Sequence, residues 1–522
     1  MALRTALFAI LSLIIIVPAH AAWHEASSEH FLIYADQSEN DIREFAEQLE
    51  KYHGAMSYLT RKGTEPVSPS NRVTIFVVRN TKTVQRLLGD SSRRVGGFYV
   101  SRAGASVAFV PKVREGNGEE LSYSEITLLH EYAHHFMYSY YSFSFPRWYS
   151  EGFAEFYSSA AFKRDGSVWL GRPAQHRAYQ LFRMSEVPVE LLLDTGAYNR
   201  SRKGRRRGDS FYGRSWLLFH YLTMDGLSPE SKRKGQLVAY LNNMIAGKEP
   251  IDAATQAFGD LEILEKDLDK YLAKRRMNAF EISADKFSIG DIQTRRLSEG
   301  ASKVMPLLAQ SRRGVDTEQA AELLPKVRAV ATKYPDDPFV NAALAEAEYD
   351  AGNDAEALIA ADRALAVDPE NMDAHKQRIL ATFRIAQNSE GEETAALWKK
   401  AMKAISTANK LEPDNPIPLI YYYRSYEGRG KQPTKLAKDA LIQALGLAPY
   451  DKALRANVAL QLISDGQYAY ARNVLQPMLL DPHQTGSAEA AQLLLASIEG
   501  KQDGDAPPGT LPEVGSEQPS AE

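Results

Sequence analysis

The chain has 522 residues, too many for one compact core, and two or three domains are expected. Its 62 Lys and Arg are balanced by 66 Asp and Glu, so a formal net charge of −4 leaves no electrostatic footprint for nucleic acid. Cysteine is absent, which excludes thiol catalysis, disulfides and thiolate metal sites.

The N-terminus carries Arg4, an apolar run from Ala6 to Val17, and Ala19-His20-Ala21. A positive start, a short apolar core and an A-x-A site follow the secretory signal pattern. Residues 1–21 are therefore expected to be a signal peptide, and the mature chain to begin near Ala22 and be exported, to a bacterial periplasm. The run is short for a bilayer span, so no stable membrane span is expected after cleavage. An uncleaved anchor is the alternative.

Phe31-Leu32-Ile33-Tyr34 reads as a strand, and Asp41 to Tyr52 as an amphipathic helix with Ile42, Phe45, Leu49 and Tyr52 at helical spacing. Residues 66–71 break the pattern. Alternating Val73, Ile75 and Val77 predict a strand over 72–79, with a short helix over 81–88 behind it. Residues 97–100 and 105–110 read as a hairpin turning at Ala103-Gly104.

His130-Glu131-Tyr132-Ala133-His134 follows. Ser122-x-x-Glu125 is a capping box, so a helix is expected here. Ile126, Leu128, Leu129, Ala133, Phe136 and Met137 make that helix apolar and buried. Two histidines four apart leave a helix on one face, one turn apart, and both can reach one Zn²⁺. Glu131 sits beside the metal, where it can take a proton from a bound water. A catalytic zinc has three protein ligands and one open position, and Glu151 is placed to be the third from a second helix. These residues predict a zinc hydrolase, with peptide bonds as its substrate. The bland alternative is a helix with polar residues at helical spacing, yet burying two histidines and a glutamate without a partner is costly.

His130 to His134, followed by Trp148 to Ala154, resembles the gluzincin zinc metallopeptidases, the class of thermolysin-like and aminopeptidase N-like enzymes. Over roughly 23–279 the chain is most similar to a bacterial peptidase-MA-like domain often joined to tetratricopeptide repeats. The resemblance implies an α+β zincin-like catalytic domain over 22–279, with His130, His134 and Glu151 as ligands and Glu131 as base. It implies that Glu155 orients a ligand histidine; a plain exposed helix acid is the alternative. Gluzincins take substrate as an added strand on a sheet edge, and residues 105–110 are the candidate edge, unless they form an ordinary buried strand. The gap from His134 to Glu151 is a little shorter than in the best-known members. Gly54-Ala55-Met56-Ser57-Tyr58 lacks the acid that aminopeptidases use for the substrate amine, which favours endopeptidase action.

Residues 199–209 carry Arg200, Arg202, Lys203, Arg205, Arg206 and Arg207, read as a solvated loop that can also line a cleft for acidic substrates. Phe211 to Leu222 is a further helix. By the resemblance to aminopeptidase N-like enzymes, Tyr212 donates to the oxyanion; a packing tyrosine is the alternative. His220 reads as a satisfied, partly buried histidine. Residues 261–277 form an amphipathic helix that closes the domain, and a chain ending near Ala279 is expected to fold alone.

Residues 280–330 read as a linker with helices. Beyond it, Pro335, Pro369, Pro413, Pro449 and Pro482 recur at gaps of 34, 44, 36 and 33 residues, with an insertion near 389–394. The period resembles tetratricopeptide repeats and implies an all-α solenoid over 331–499 with a concave surface for a protein partner. Residues 500–522 are polar and acidic, and are expected to be a disordered tail. The sequence thus supports an exported zinc peptidase, or a tetratricopeptide scaffold with a vestigial peptidase-like domain.

Overall fold

The computed structural model describes residues 22–65, 67–89, 96–112, 120–141, 143, 145–203, 208–479 and 486–509. The expected signal peptide, Arg205 to Arg207, Pro482 and the end of the tail lie outside the described residues.

The described strands are β1 (His24–Ser27), β2 (Phe31–Ala35), β3 (Val73–Val78), β4 (Phe98–Val100), β5 (Val107–Pro111), β6 (Ala161–Phe162), β7 (Val168–Leu170), β8 (Phe280–Ile282) and β9 (Gln293–Arg296). Six make one sheet in the order β4-β5-β3-β2-β1-β9. β2, β3 and β5 are parallel neighbours, while β4, β1 and β9 join antiparallel. β6, β7 and β8 form a small antiparallel sheet. Alternation along the strands sends Ile33, Val73, Ile75, Val77, Ala108 and Val110 to one face and Tyr34, Phe76, Val78, Val107 and Phe109 to the other. Both faces are covered, so β3 and β5 are buried throughout and, Thr74 apart, apolar. The expected edge strand is corrected here. β5 runs between β3 and β4, and β4 is the edge.

The helices of the first half are α1 (Glu39–Thr60), α2 (Thr81–Leu88), α3 (Tyr123–Tyr140), α4 (Arg147–Ser158), α5 (Ala178–Arg183), α6 (Val189–Leu193), α7 (Thr195–Arg202), α8 (Phe211–Met224), α9 (Gln236–Ile245), α10 (Pro250–Phe258) and α11 (Leu261–Leu272). α1, α3, α4 and α8 share the core on the Ile33 face of the sheet. The Ser122 box forms as read: Ser122 N donates to Glu125 Oε2 at 2.7 Å and Glu125 N to Ser122 Oγ at 3.3 Å. α11 stops at Leu272, short of the expected 277.

The second half is a run of helix pairs: α12 (Glu299–Arg313) with α13 (Thr317–Lys333), α14 (Pro338–Asp350) with α15 (Asp354–Val367), α16 (Met372–Gln387) with α17 (Thr394–Leu411), α18 (Pro416–Glu427) with α19 (Lys435–Leu447), and α20 (Lys452–Ser464) with α21 (Tyr468–Leu479), followed by α22 (Gly486–Ser497). Pro335, Pro369, Pro413 and Pro449 all fall between one pair and the next, and the insertion lengthens the α16–α17 loop.

The boundary at 280–330 differs from the sequence reading. This segment is no linker. β8 joins the small sheet, β9 pairs with β1, and α12 with α13 form the first helix pair. Pro306 and Pro325 lie inside those helices, so the proline spacing does not mark this pair. The array is held against the first half. Arg102 donates to the carbonyls of Arg312 and Arg313 at 3.1 and 2.9 Å, Ala103 N to Asp451 at 2.8 Å, and Ser70 to Glu412 at 2.7 and 2.6 Å. Tyr34 of the sheet packs edge-on against Phe339 of α14. The helix pairs therefore pack against the chain's own sheet and the loops beside it.

Candidate metal centre

α3 and α4 lie side by side and bring their polar residues to one point. The Nε2 atoms of His130 and His134 are 3.2 Å apart, and Glu151 Oε2 stands 3.3 Å from the first and 3.5 Å from the second. All three residues are buried. Donors arranged tetrahedrally about 2.0–2.1 Å from one ion stand about 3.3–3.4 Å from each other, so these atoms already have the spacing of a zinc site. Apart from the ring nitrogens it faces, the Glu151 carboxylate is sealed from water with no hydrogen-bond donor. Two imidazoles and a carboxylate are a donor set that zinc favours, and a buried unsatisfied carboxylate fits a cation. Among the described residues the other group close enough to hold an ion, Glu186, Glu265 and Asp269, already encloses the Arg214 guanidinium.

Glycine sets the helix spacing. A Cβ on Gly152 would lie 2.5 Å from the carbonyl oxygen of Ser215 and 2.8 Å from Cβ of Phe219, so α8 crosses α4 closely only because residue 152 has no side chain. That crossing brings the start of α8, with Tyr212, to the histidines; the Tyr212 and His130 ring centroids are 6.4 Å apart. The negative charge of Glu151, and then burial, push the Tyr212 phenol well up, while Arg147 and Arg177 pull it down.

Glu155, one turn beyond Glu151, is fully buried and is no exposed helix acid. His130 Nδ1 lies 3.1 Å from Oε1 and His176 Nε2 lies 2.6 Å from Oε2, and Arg177 pairs with Oε1. Burial raises the Glu155 carboxyl, but the Arg177 charge and His130 outweigh it and hold it well below the usual range. Burial pulls His130 down, yet its bonds to Glu151 and Glu155 prevail and raise it to about 10. Glu151 is lowered against its burial by the same two imidazoles.

Glu131 is partly exposed, and its carboxylate is committed to no hydrogen bond or ion pair among the described residues. Its charge adds to the upward shift of the buried Tyr99 phenol on β4. His135 points elsewhere, with Nδ1 2.6 Å from the Tyr99 hydroxyl and its ring against Tyr450. His220 is satisfied as read, 2.9 Å from the Gly171 carbonyl and 2.9 Å from the Tyr271 hydroxyl.

Sequence reasoning missed His176, Arg177 and Arg147. Gly171 turns the chain back at φ +71°, packed so tightly on Phe156 that a Cβ would lie 2.2 Å from its ring, and this returns residues 176 and 177 to Glu155. No local motif signals that return. Arg147 was findable, because it precedes Glu151 by one turn on the same helix.

Fold and site together define a molecule of two interlocked parts: a mixed sheet whose helices gather two histidines and a glutamate, and a stack of helix pairs folded over it. No protein-family model and no curated protein sequence matches the chain. Among solved structures it is similar to a thermophilic TPR protein of Thermus thermophilus, at 18% identity and TM-score 0.30 over 34% of this chain and 92% of that one. It is also similar to MamA from Desulfovibrio magneticus, at 16% identity and TM-score 0.27 over 36% of this chain and 98% of that one. No helix among the described residues is long and apolar enough to cross a membrane.

Proposed function

We propose that the chain is an exported, zinc-dependent peptidase of gluzincin type, with an α+β zincin-like catalytic unit. The observation that supports this most is the buried triangle of His130, His134 and Glu151 at tetrahedral spacing, with Glu155 fixed behind His130. His130, His134 and Glu151 would hold the ion. When bound, zinc polarises a carbonyl and acidifies water. Glu155 accepts the Nδ1 proton of His130 and so leaves Nε2 free to bind the metal. Glu131 takes the proton of the attacking water and passes it to the leaving amine. Tyr212 donates to the carbonyl oxygen as negative charge develops there. β4 replaces residues 105–110 as the strand on which an extended peptide adds. A protein partner of the repeats would use the surface that the sheet leaves free.

A second reading is a tetratricopeptide scaffold whose metal site is vestigial, and the long helix-pair array favours it. Hydrolysis of an unstructured protein such as casein by zinc-loaded full-length chain separates the two. The peptidase reading expects cleavage that Glu131→Gln abolishes while zinc is retained. Equal, absent cleavage by both forms overturns it.

A further inference from the structure

The site holds two guanidinium groups, and they are used differently. Arg177 is committed to Glu155 and lies over the Tyr212 ring at 4.9 Å. Arg147 has no carboxylate partner among the described residues. It opens α4 one turn before Glu151, so the two side chains leave the same face of the helix. Its guanidinium lies 4.8 Å from the centre of the Phe211 ring and 5.6 Å from that of Tyr198. Its charge acts on the Tyr212 phenol, and its Nε is shielded from water without an acceptor among the described residues. The acid beyond Tyr198 is already taken: Asp209 accepts from the Tyr198 hydroxyl at 3.2 Å and pairs with Arg202 at 3.1 Å.

A cation held partly out of water without a counter-ion is costly to keep. Two aromatic rings lie within cation–π reach of this one, which leaves the helix one turn before Glu151. No carboxylate of the described residues takes any of its five donors, and a guanidinium fork matches the two oxygens of a carboxylate. We propose that Arg147 is a subsite for a substrate carboxylate, so that the peptides cleaved here carry such a group close to the scissile bond. This deepens the hydrolase reading above and rests on it. The carboxylate has two possible sources, an acidic side chain or a free C-terminus.

The test uses full-length, zinc-loaded protein and four peptides sharing one scissile bond, with Glu or Gln beside it and the C-terminus free or amidated. The peptide with the correct carboxylate should show kcat/KM on the order of 10–100-fold above its neutral twin, as a charged hydrogen bond implies. The Glu/Gln pair responds if the source is a side chain, and the free/amidated pair if it is the terminus. Arg147→Gln should bring the ratio close to one. Arg147→Lys should keep part of it, because the charge remains without the fork. Binding of the same four peptides, followed by fluorescence polarisation, gives a readout independent of turnover. If none is cleaved but the carboxylate peptide binds more tightly, and Arg147→Gln removes the difference, the hydrolase reading fails and the subsite stands. If the parent protein cleaves and binds all four alike, or if the preference survives Arg147→Gln, the subsite is overturned and the hydrolase reading is untouched. Should Arg147→Gln fail to fold, the four-peptide comparison on the parent protein decides.

Discussion

His130 Nδ1 and Glu155 Oε1 lie 3.1 Å apart between two buried side chains, with Glu155 one turn of α4 beyond Glu151. Arg177 pairs with the same oxygen and His176 with the other, so this carboxylate ties His130 to both residues.

Glu151 and Glu155 should therefore fail in different ways. Glu151→Ala removes a donor and should all but abolish zinc retention, as should His130→Ala or His134→Ala. Glu155→Gln should weaken zinc affinity by about 10–100-fold. It also leaves the half-buried Arg177 without its counter-charge, so the melting temperature should drop and partly recover in Glu155→Gln/Arg177→Met. Zinc content after dialysis and thermal unfolding measure both. A greater loss of zinc from Glu155→Gln than from Glu151→Ala would reverse the two roles.

The metal-free protein should be sensitive to alkaline pH. Burial opposes the charge on His130, but Glu151 and Glu155 raise the group from 6.5 to about 10. The folded state thus holds this proton more tightly than the unfolded chain does. The stabilisation is complete below about pH 6.5 and is lost as pH climbs through about 10. The melting temperature of zinc-free protein should fall across that window, and His130→Gln should flatten the fall. Zinc competes with the same proton, so titration at pH 7 in buffers of different ionisation enthalpy should register proton release. No release would mean that His130 is already neutral there.

Tyr212 should matter to rate more than to binding. Tyr212→Phe keeps the ring beneath Arg177 and loses only the hydroxyl. Loss of one oxyanion donor costs about 10²–10³-fold in kcat, with KM and zinc content little changed. Steady-state kinetics on a cleaved peptide measures it, and near-normal kcat removes Tyr212 from the mechanism.

A chain ending at Ala279 should not fold, contrary to the sequence expectation. It lacks β8 and β9, and it bares the Tyr34, Phe76 and Phe109 face of the sheet that α12 to α15 share. Soluble yield and cooperative melting test this. A soluble, zinc-binding product would show that the repeats are dispensable for the core.

The sequence by itself determined what is local. The Ser122 box and the apolar spacing placed α3, and the four-residue step put His130 and His134 on one face. The alternation of Val73, Ile75 and Val77 gave β3, and the prolines gave most of the helix pairs. Each of these follows from bonds or periodicities within about two turns of chain. Tertiary structure decided the rest. β9 reaches β1 across more than 260 residues, which no periodicity encodes, so 280–330 read as a linker. β5 is apolar on both faces whether it is an edge or an interior strand, and only its pairing with β4 settles which. His176 and Arg177 come to Glu155 through a turn that Gly171 permits, and Arg147 meets no carboxylate among the described residues, Asp209 being bound to Arg202. Charge compensation is a property of the packed interior, and a chain read in one dimension does not show which charges meet.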